Sequence, residues 1–384
     1  MGNSAIYYSD FYWNDITAVK EHINLLISGD KKIDYINNFK NKIKRKFKKA
    51  LVLNCGNGHV EREFIKNNVI ESAIGIDISE DLIAEANLNK ENLDISYIQH
   101  DINTFDFSSI EFDLLIVFAA GHHIQYLNRV FFEASKILIK NNGMIVGFDY
   151  IGPHRNQYSL KVWNKTYCYN QKLPKFFQNK LIYPHLPTML VTDPSEAIHS
   201  EYLEESLNYY FDLDITMLGG GIAYEILSHN EAAKKMNNNK KQIEELNKHV
   251  LKVLEWDLAE SKKDHKFNFF ASFYGYPKKY LNELEIEKKI LEENDYEKKF
   301  PLGSNYYPKT FLQNLTEELS DKSVTITHKQ AYIDECHRKL DKCYEELDKY
   351  QKRIDDLENK QVAVVIKKLL KKFLKKLNII KKLS

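Results

Sequence analysis

From Ala50 to about Tyr150 the chain alternates short, almost uniformly apolar runs with longer stretches of helical periodicity. The runs KALVLN, SAIGID, DISYIQ, FDLLIVF and MIVGFDY are rich in β-branched and aromatic residues, which predicts strands covered on both faces of a parallel sheet. Between them VEREFIKNN, SEDLIAEANLNK and LNRVFFEASKILIK place apolar residues at helical spacing, and Asn142-Gly143 closes the last of these helices. The order predicts a doubly wound α/β domain. Further on, the pattern predicts a helix near Ser195–Tyr210, a strand near Leu213–Met217, a helical insertion over Glu231–Lys263 with a loose polar middle, and an aromatic strand over Phe267–Tyr274.

After Pro277 the character changes. A charged linker leads to Ile333, Cys336, Leu340, Cys343, Leu347, Tyr350, Ile354 and Leu357, which follow one another in steps of three and four without a slip. This is a heptad seam of about four repeats, predicting a coiled coil that joins two or more chains; the plainer alternative is one helix packed on its own domain. The last stretch, VAVVIKKLLKKFLKKLNIIKKLS, carries eight lysines and no acid. Its apolar run Val362–Ile366 is far short of the roughly 20 residues a bilayer span needs, so it predicts an amphipathic helix lying on an anionic membrane surface.

Composition narrows the functional classes. The 384 residues suffice for one sizeable core with appendages, and 55 Lys and Arg against 54 Asp and Glu leave a net charge of +1, with no global field to attract nucleic acid. Cys55, Cys168, Cys336 and Cys343 form neither a disulfide framework nor a Cys-x-x-Cys pair, and the opening MGNSAIYYSD lacks the basic and apolar regions of a signal peptide. Both features predict a cytoplasmic protein. No His, Cys or carboxylate group has metal-ligand spacing along the chain, so no metal is expected.

The chemistry starts where the first strand runs through Leu53-Asn54-Cys55-Gly56-Asn57-Gly58-His59 into a helix. Gly56 and Gly58 accept positive φ and let a ligand approach the backbone, and Asn54 is among the few other residue types that tolerate the left-handed region. Asp77 ends the second strand, 21 residues after Gly56, placed to accept hydrogen bonds from a ribose; Asp101, in Gln99-His100-Asp101 after the third strand, would face an adenine amino group. With the strand order, these residues resemble the class I S-adenosylmethionine-dependent methyltransferases. Asn54 in place of a first glycine and Val52 in place of a frequent acidic residue depart from that pattern. A dinucleotide site is the rival, but Val60 or its neighbour stands where the third glycine of its fingerprint belongs. The resemblance implies S-adenosyl-L-methionine as cofactor, held by Asn54, Cys55, Gly56, Asn57, Gly58, Asp77, Ile78, Asp101, Ile102 and Phe118.

A narrower resemblance joins Ala120-Gly121-His122-His123-Ile124, the stretch Asp149–Tyr158, Asp193–Ser200 and Leu218-Gly219-Gly220-Gly221 to methyltransferases of bacterial polysaccharide and glycan clusters. Residues 5 to 277 are covered, with Tyr158 where a tryptophan is expected. It implies an O-methyltransferase acting on a sugar hydroxyl or phosphate of a glycan or glycan precursor at the cytoplasmic membrane face. A hydroxyl profits from a base matched to neutral pH, which points to His122 and His123; adjacent side chains diverge, so one would face the acceptor, by preference His123, and the other would brace the loop. Orientation alone is the alternative. Arg155, Gln157 and Tyr158 offer a fork of donors, an amide and a ring for the acceptor, unless Gly152-Pro153 is simply a turn and Arg155 a surface cation. Glu196 and His199 join them as acceptor-side residues, unless Asp193 or Ser195 caps a helix and Glu196 sits in its first turn. An RNA or protein methyltransferase, or a non-catalytic tether on this fold, are the alternatives. Strand four ends in Phe118-Ala119-Ala120-Gly121, unlike the Asp/Asn-Pro-Pro-Tyr type of nucleic-acid N-methyltransferases, and no nucleic-acid partner is expected.

The expected organisation is a methyltransferase domain over residues 1–280 (a helical cap over 1–48, the cofactor core over 49–150, the acceptor side and last strands over 151–277), a linker over 281–324, the coiled coil over 325–361 and the basic helix over 362–384.

Overall fold

The computed structural model describes residues 11–235 and 240–293. Seven strands, β1 (Phe47–Leu53), β2 (Ile70–Asp77), β3 (Ile95–Gln99), β4 (Leu114–Phe118), β5 (Met144–Tyr150), β6 (Phe211–Met217) and β7 (Phe270–Pro277), form one sheet in the order β3-β2-β1-β4-β5-β7-β6. The strands from β3 to β5 pair in parallel, whereas β7 runs antiparallel to both β5 and β6. The helices are α1 (Thr17–Ser28), α2 (Tyr35–Ile43), α3 (His59–Lys66), α4 (Glu80–Asn89), α5 (Leu127–Lys140), α6 (Leu160–Lys172), α7 (Leu186–Thr192), α8 (Ser200–Tyr210), α9 (Ala223–Leu227), α10 (Glu231–Lys235), α11 (Lys240–Ser261) and α12 (Glu283–Glu293).

The two-residue period of β1 divides the core. Leu51 and Leu53 pack with Val130, Phe131 and Leu138 of α5 and Leu203 and Leu207 of α8. Ala50 and Val52 pack on the opposite face with Ile36 and Phe39 of α2 and Phe64 of α3. Apolar residues on both faces of the same strand explain its nearly unbroken hydrophobic sequence. The chain steps outward from β1 in one direction through β2 and β3 and in the other through β4 and β5, which opens a crevice at the C-terminal ends of β1 and β4.

Several boundaries differ from the sequence expectation, each for a local reason. The helix expected from Ser195 starts at Ser200, because Asp193 accepts from both the backbone N–H and the hydroxyl of Ser195 and so spends its carboxylate on a turn. The aromatic strand starts at Phe270 instead of Phe267, since Asp264 caps a 3-10 turn at His265–Phe267. The helical insertion is divided between α10 and α11. The stretch expected as linker from residue 281 begins with α12, whose Ile286 is buried in the core and whose Glu293 carboxylate accepts from the N–H groups of Asn128 and Arg129 at the start of α5. An apolar residue and a capping carboxylate thus carry the folded part beyond Pro277.

Among the described residues, 11–179 and 192–293 belong to one compact unit and Lys180–Val191 to another. The heptad seam of residues 325–361 and the basic segment 362–384 lie outside the described residues.

Candidate active site

The glycine loop adopts the conformation its residues allow. Asn54 (φ +44°), Gly56 (φ +56°) and Gly58 (φ +77°) are all left-handed, and Gly58 leads directly into α3. At Gly58 a Cβ would also collide with the Tyr97 hydroxyl, 2.1 Å away, so both the turn and the close packing require glycine. Asp77 braces this loop: its Oδ2 accepts from the Gly56 N–H at 2.9 Å and its Oδ1 from the Ser79 N–H at 2.8 Å. Asp101 accepts from the Asn103 backbone at 2.9 Å, and the Asn57 amide donates to Glu85 at 3.1 Å.

These residues fit the cofactor that the resemblance implied. Two carboxylates end β2 and the loop after β3 beside a sharply turned backbone, and they match the hydroxyl and amino donors of an adenosine. Ile78, 65% exposed between them, offers an apolar cover. Phe118 is half-buried against Tyr35, ring centres 4.2 Å apart. Two expected contacts are corrected in kind. The Ile102 side chain is packed in the core with Leu51 and Phe105, and the Cys55 thiol is buried under the loop beside Gly75, where burial pushes it far above its usual range. Both can reach a ligand only through their backbone. S-adenosylmethionine bound here would supply a sulfonium methyl group.

The crevice continues into a second turn. The Asn54 side-chain amide donates to the Ala120 carbonyl at 3.0 Å, tying the glycine loop to the 3-10 turn Gly121–His123 after β4. That turn is built on Asp149, which is 0% exposed at the end of β5. Its Oδ2 accepts from the Ala120 and Gly121 N–H groups at 2.9 and 2.6 Å. Its Oδ1 accepts from the His122 and Tyr150 N–H groups at 3.3 and 2.8 Å and from His122 Nδ1–H at 2.6 Å. Gly121 is needed because a Cβ would come within 2.9 Å of Leu203 and 3.1 Å of the same carboxylate.

The two histidines do not diverge as expected: their ring centres are 4.2 Å apart. Hydrogen bonds at each Nδ1 cause this. His122 donates to Asp149. His123 Nδ1 lies 3.1 Å from Ser195 Oγ, whose single proton goes to Asp193 Oδ1 at 2.6 Å, so His123 must donate as well. Both Nε2 atoms consequently face Glu196 Oε2, at 3.8 Å from His122 and 3.7 Å from His123. Burial disfavours a charged His122, but the Asp149 charge and hydrogen bond outweigh it, and the ring is pushed up to about 9. Burial and then the neighbouring His122 charge hold His123 below the usual histidine range. At neutral pH one ring is cationic and the other neutral.

The remaining acceptor-side expectations divide. Glu196 reaches the histidines, its Oε1 held by the Asn156 amide at 3.1 Å, and not in the first turn of a helix. Arg155 is 2% exposed and is neither a surface cation nor a donor fork toward the crevice: its guanidinium donates to the Pro194 and Glu196 carbonyls and clamps the turn that presents Glu196. Gln157 is buried, donating to the Arg155 carbonyl at 3.0 Å. Tyr158 is buried between Trp163 and Phe269, with its hydroxyl on Glu225 at 2.7 Å. His199 is buried against His154, donates from Nδ1 to the Gln125 carbonyl at 2.6 Å, and is pushed down to about 4, chiefly by burial. These four shape the site without lining it. Asp149, Ser195 and Asn156 were missed. All three lie in the stretches of the narrower resemblance, and Asp149 carries a further signal, a lone carboxylate at the end of an apolar strand.

Residues 51–146 match the methyltransferase-domain family, a stretch that runs from β1 to β5 and includes the whole glycine loop, Asp77 and Asp101. The protein is a methyltransferase. Its cofactor is S-adenosylmethionine, as the residues of the loop and the two strand ends predict, and the dinucleotide reading falls away. No curated protein matches the chain by sequence. Solved structures similar to it include the PH0226 protein from Pyrococcus horikoshii OT3, with 16% identity over 62% of this chain and 86% of that one and a TM-score of 0.35. The plantazolicin methyltransferase BpumL, solved with a monoazolic desmethylPZN analog and SAH, shares 15% over 71% and 87%, with a TM-score of 0.34. An S-adenosylmethionine-dependent methyltransferase from Clostridium acetobutylicum ATCC 824 shares 17% over 36% and 54%, with a TM-score of 0.29.

Proposed function

We propose that the enzyme methylates an oxygen of a sugar, a hydroxyl or a phosphate, in a bacterial glycan or glycan precursor. The observation that carries this reading is the convergence of His122, His123 and Glu196 at the end of β4, one hydrogen bond away from the glycine loop. A sulfonium methyl group needs no activation by the protein, whereas a hydroxyl acceptor does, and this cluster is where its proton is taken up or its oxygen polarised. His123, neutral and half-buried, has an Nε2 lone pair for that purpose. The choice of a sugar draws on the sequence resemblance to glycan-cluster methyltransferases.

The same proposal includes peripheral attachment to the inner face of the cell membrane. Residues 362–384 supply lysines worth about 1 kcal/mol each near an anionic leaflet, and the heptad seam at 325–361 would join several such segments in a homo-oligomer, raising avidity about 10² to 10⁴-fold. The acceptor test incubates the full chain with methyl-labelled S-adenosylmethionine and separate pools of nucleotide sugars, lipid-linked glycans, polysaccharide, RNA and protein. Label recovered as a sugar O-methyl group is the expected result. Label in RNA or protein, or no transfer to any sugar pool, overturns the acceptor assignment.

A further inference from the structure

We infer that His122, His123 and Glu196 form a binding site for one divalent transition-metal ion. No metal was expected from spacing along the chain, because the ligands come from two segments, the turn after β4 and the turn before α8. In space His122 Nε2, His123 Nε2 and Glu196 Oε2 lie within 4.8 Å of one another, with Glu196 at 3.8 and 3.7 Å from the two nitrogens. An ion with bonds of about 2.1 Å holds neighbouring donors about 3.0 to 3.4 Å apart, so small movements of the half-buried His123 and Glu196 close the site.

Three features distinguish this group from a chance cluster. First, the three potential ligand atoms come from two separate segments and converge on one space, where a single divalent ion, displacing any proton between them, can be bound by all three. Second, each imidazole is held from behind: Asp149 Oδ1 takes the Nδ1–H of His122 at 2.6 Å, and Ser195, itself anchored on Asp193, takes that of His123 at 3.1 Å. Carboxylate or hydroxyl support of the outer nitrogen fixes the tautomer that binds metal and raises ligand basicity. Third, the carboxylate is oriented, with Asn156 on Oε1 and Arg155 clamping its backbone, so that Oε2 is directed to the nitrogens.

Two imidazoles and one carboxylate suit Zn²⁺, Fe²⁺, Mn²⁺ or Co²⁺ more than Mg²⁺ or Ca²⁺, which prefer all-oxygen shells. Three protein ligands leave coordination positions open, and a hydroxyl of a polyhydroxylated acceptor is a fitting ligand for one. The ion would then orient the hydroxyl and lower its pKa so that its proton can pass to water, with His123, its lone pair on the ion, serving as a ligand and not as the base. That last consequence rests on the proposed acceptor reading; the site itself does not.

The test titrates Co²⁺ into chelator-treated full-length protein and follows visible d–d absorption, with Zn²⁺ and Mg²⁺ as competitors. Saturation at one Co²⁺ per chain, displacement by Zn²⁺ and indifference to Mg²⁺ are expected. His123→Ala and Glu196→Gln should each weaken binding at least about tenfold, and Ser195→Ala about 10- to 100-fold as an outer-support residue. Circular dichroism and thermal melting of each variant show that it is folded. Absence of Co²⁺ bands with no Zn²⁺ retained after dialysis, or binding unchanged in both ligand variants, overturns the metal site. Methyl transfer to sugars by the same chelator-treated protein is read separately: transfer without metal leaves the acceptor reading standing when the site fails, and Co²⁺ binding with label only in RNA overturns the acceptor reading alone.

Discussion

Replacing Asp149 by asparagine tests whether one buried carboxylate builds the acceptor side. The shape is unchanged, but asparagine has one acceptor oxygen and one donor nitrogen where aspartate has two acceptors. Five N–H groups point at this side chain, two at Oδ2 and three at Oδ1. With the amide oxygen on the three-donor side, the Ala120 and Gly121 N–H groups face an NH₂ group and lose their partner. A hydrogen bond to a charged group is worth about 1.5 to 3 kcal/mol, so two lost bonds cost about 3 to 6 kcal/mol. This is a large part of the roughly 5 to 15 kcal/mol that holds a domain together, and at about 2 to 4 °C per kcal/mol the melting point falls by at least about 6 °C. Differential scanning calorimetry measures it, and methyl transfer below the lowered transition should also fall, because the turn carrying His122 and His123 loosens. A variant that melts within about 2 °C of the parent and turns over at its rate would refute this account.

Gly58→Ala and Asp77→Ala should each weaken S-adenosylmethionine binding by calorimetry at least tenfold, the first through the Tyr97 contact and the left-handed φ, the second through loss of the loop brace; unchanged affinity in both removes the loop from the cofactor site. Glu61 is 0% exposed, and burial pushes its carboxyl up to about 7. A raised carboxyl binds its proton more tightly when folded, so this contribution is complete below about pH 4.5 and is lost as pH rises through about 7, a change of about 3 kcal/mol. Glu61→Gln should therefore melt higher than the parent at pH 8 and similarly at pH 4.5, and equal shifts at both pH values would contradict the assignment. Removal of residues after Gln361 should release the protein from anionic liposomes, and Leu347→Pro should weaken attachment although the tail remains; indifference of the full chain to such vesicles at physiological salt ends the membrane proposal.

The cofactor half was legible because its chemistry is local. A glycine loop needs left-handed conformations at three positions of one short segment, and residue type alone decides which side chains tolerate them, so Asn54, Gly56 and Gly58 stand as the sequence predicted. Asp77 follows one helix and one strand later, a separation that the βαβ repeat makes regular. The strands show themselves for a similar reason: burial on both faces demands an unbroken apolar run wherever such a strand occurs.

The acceptor half depends on contacts that no local rule encodes. Whether Arg155 is a surface cation, a substrate donor or a clamp depends on whether the turn at 193–197 docks over it, and that docking joins residues some 40 positions apart. Tyr158 belongs to the core because Phe269 and Glu225 arrive from elsewhere in the chain. Adjacent histidines diverge in an isolated strand or turn, yet here Asp149 and Ser195 each seize an Nδ1–H and swing both rings toward Glu196. Residue types and short-range pattern thus settle the strands, the loop and the cofactor. Only the packed chain, in which distant carboxylates satisfy buried N–H donors, decides which polar side chains are spent on structure and which remain for chemistry.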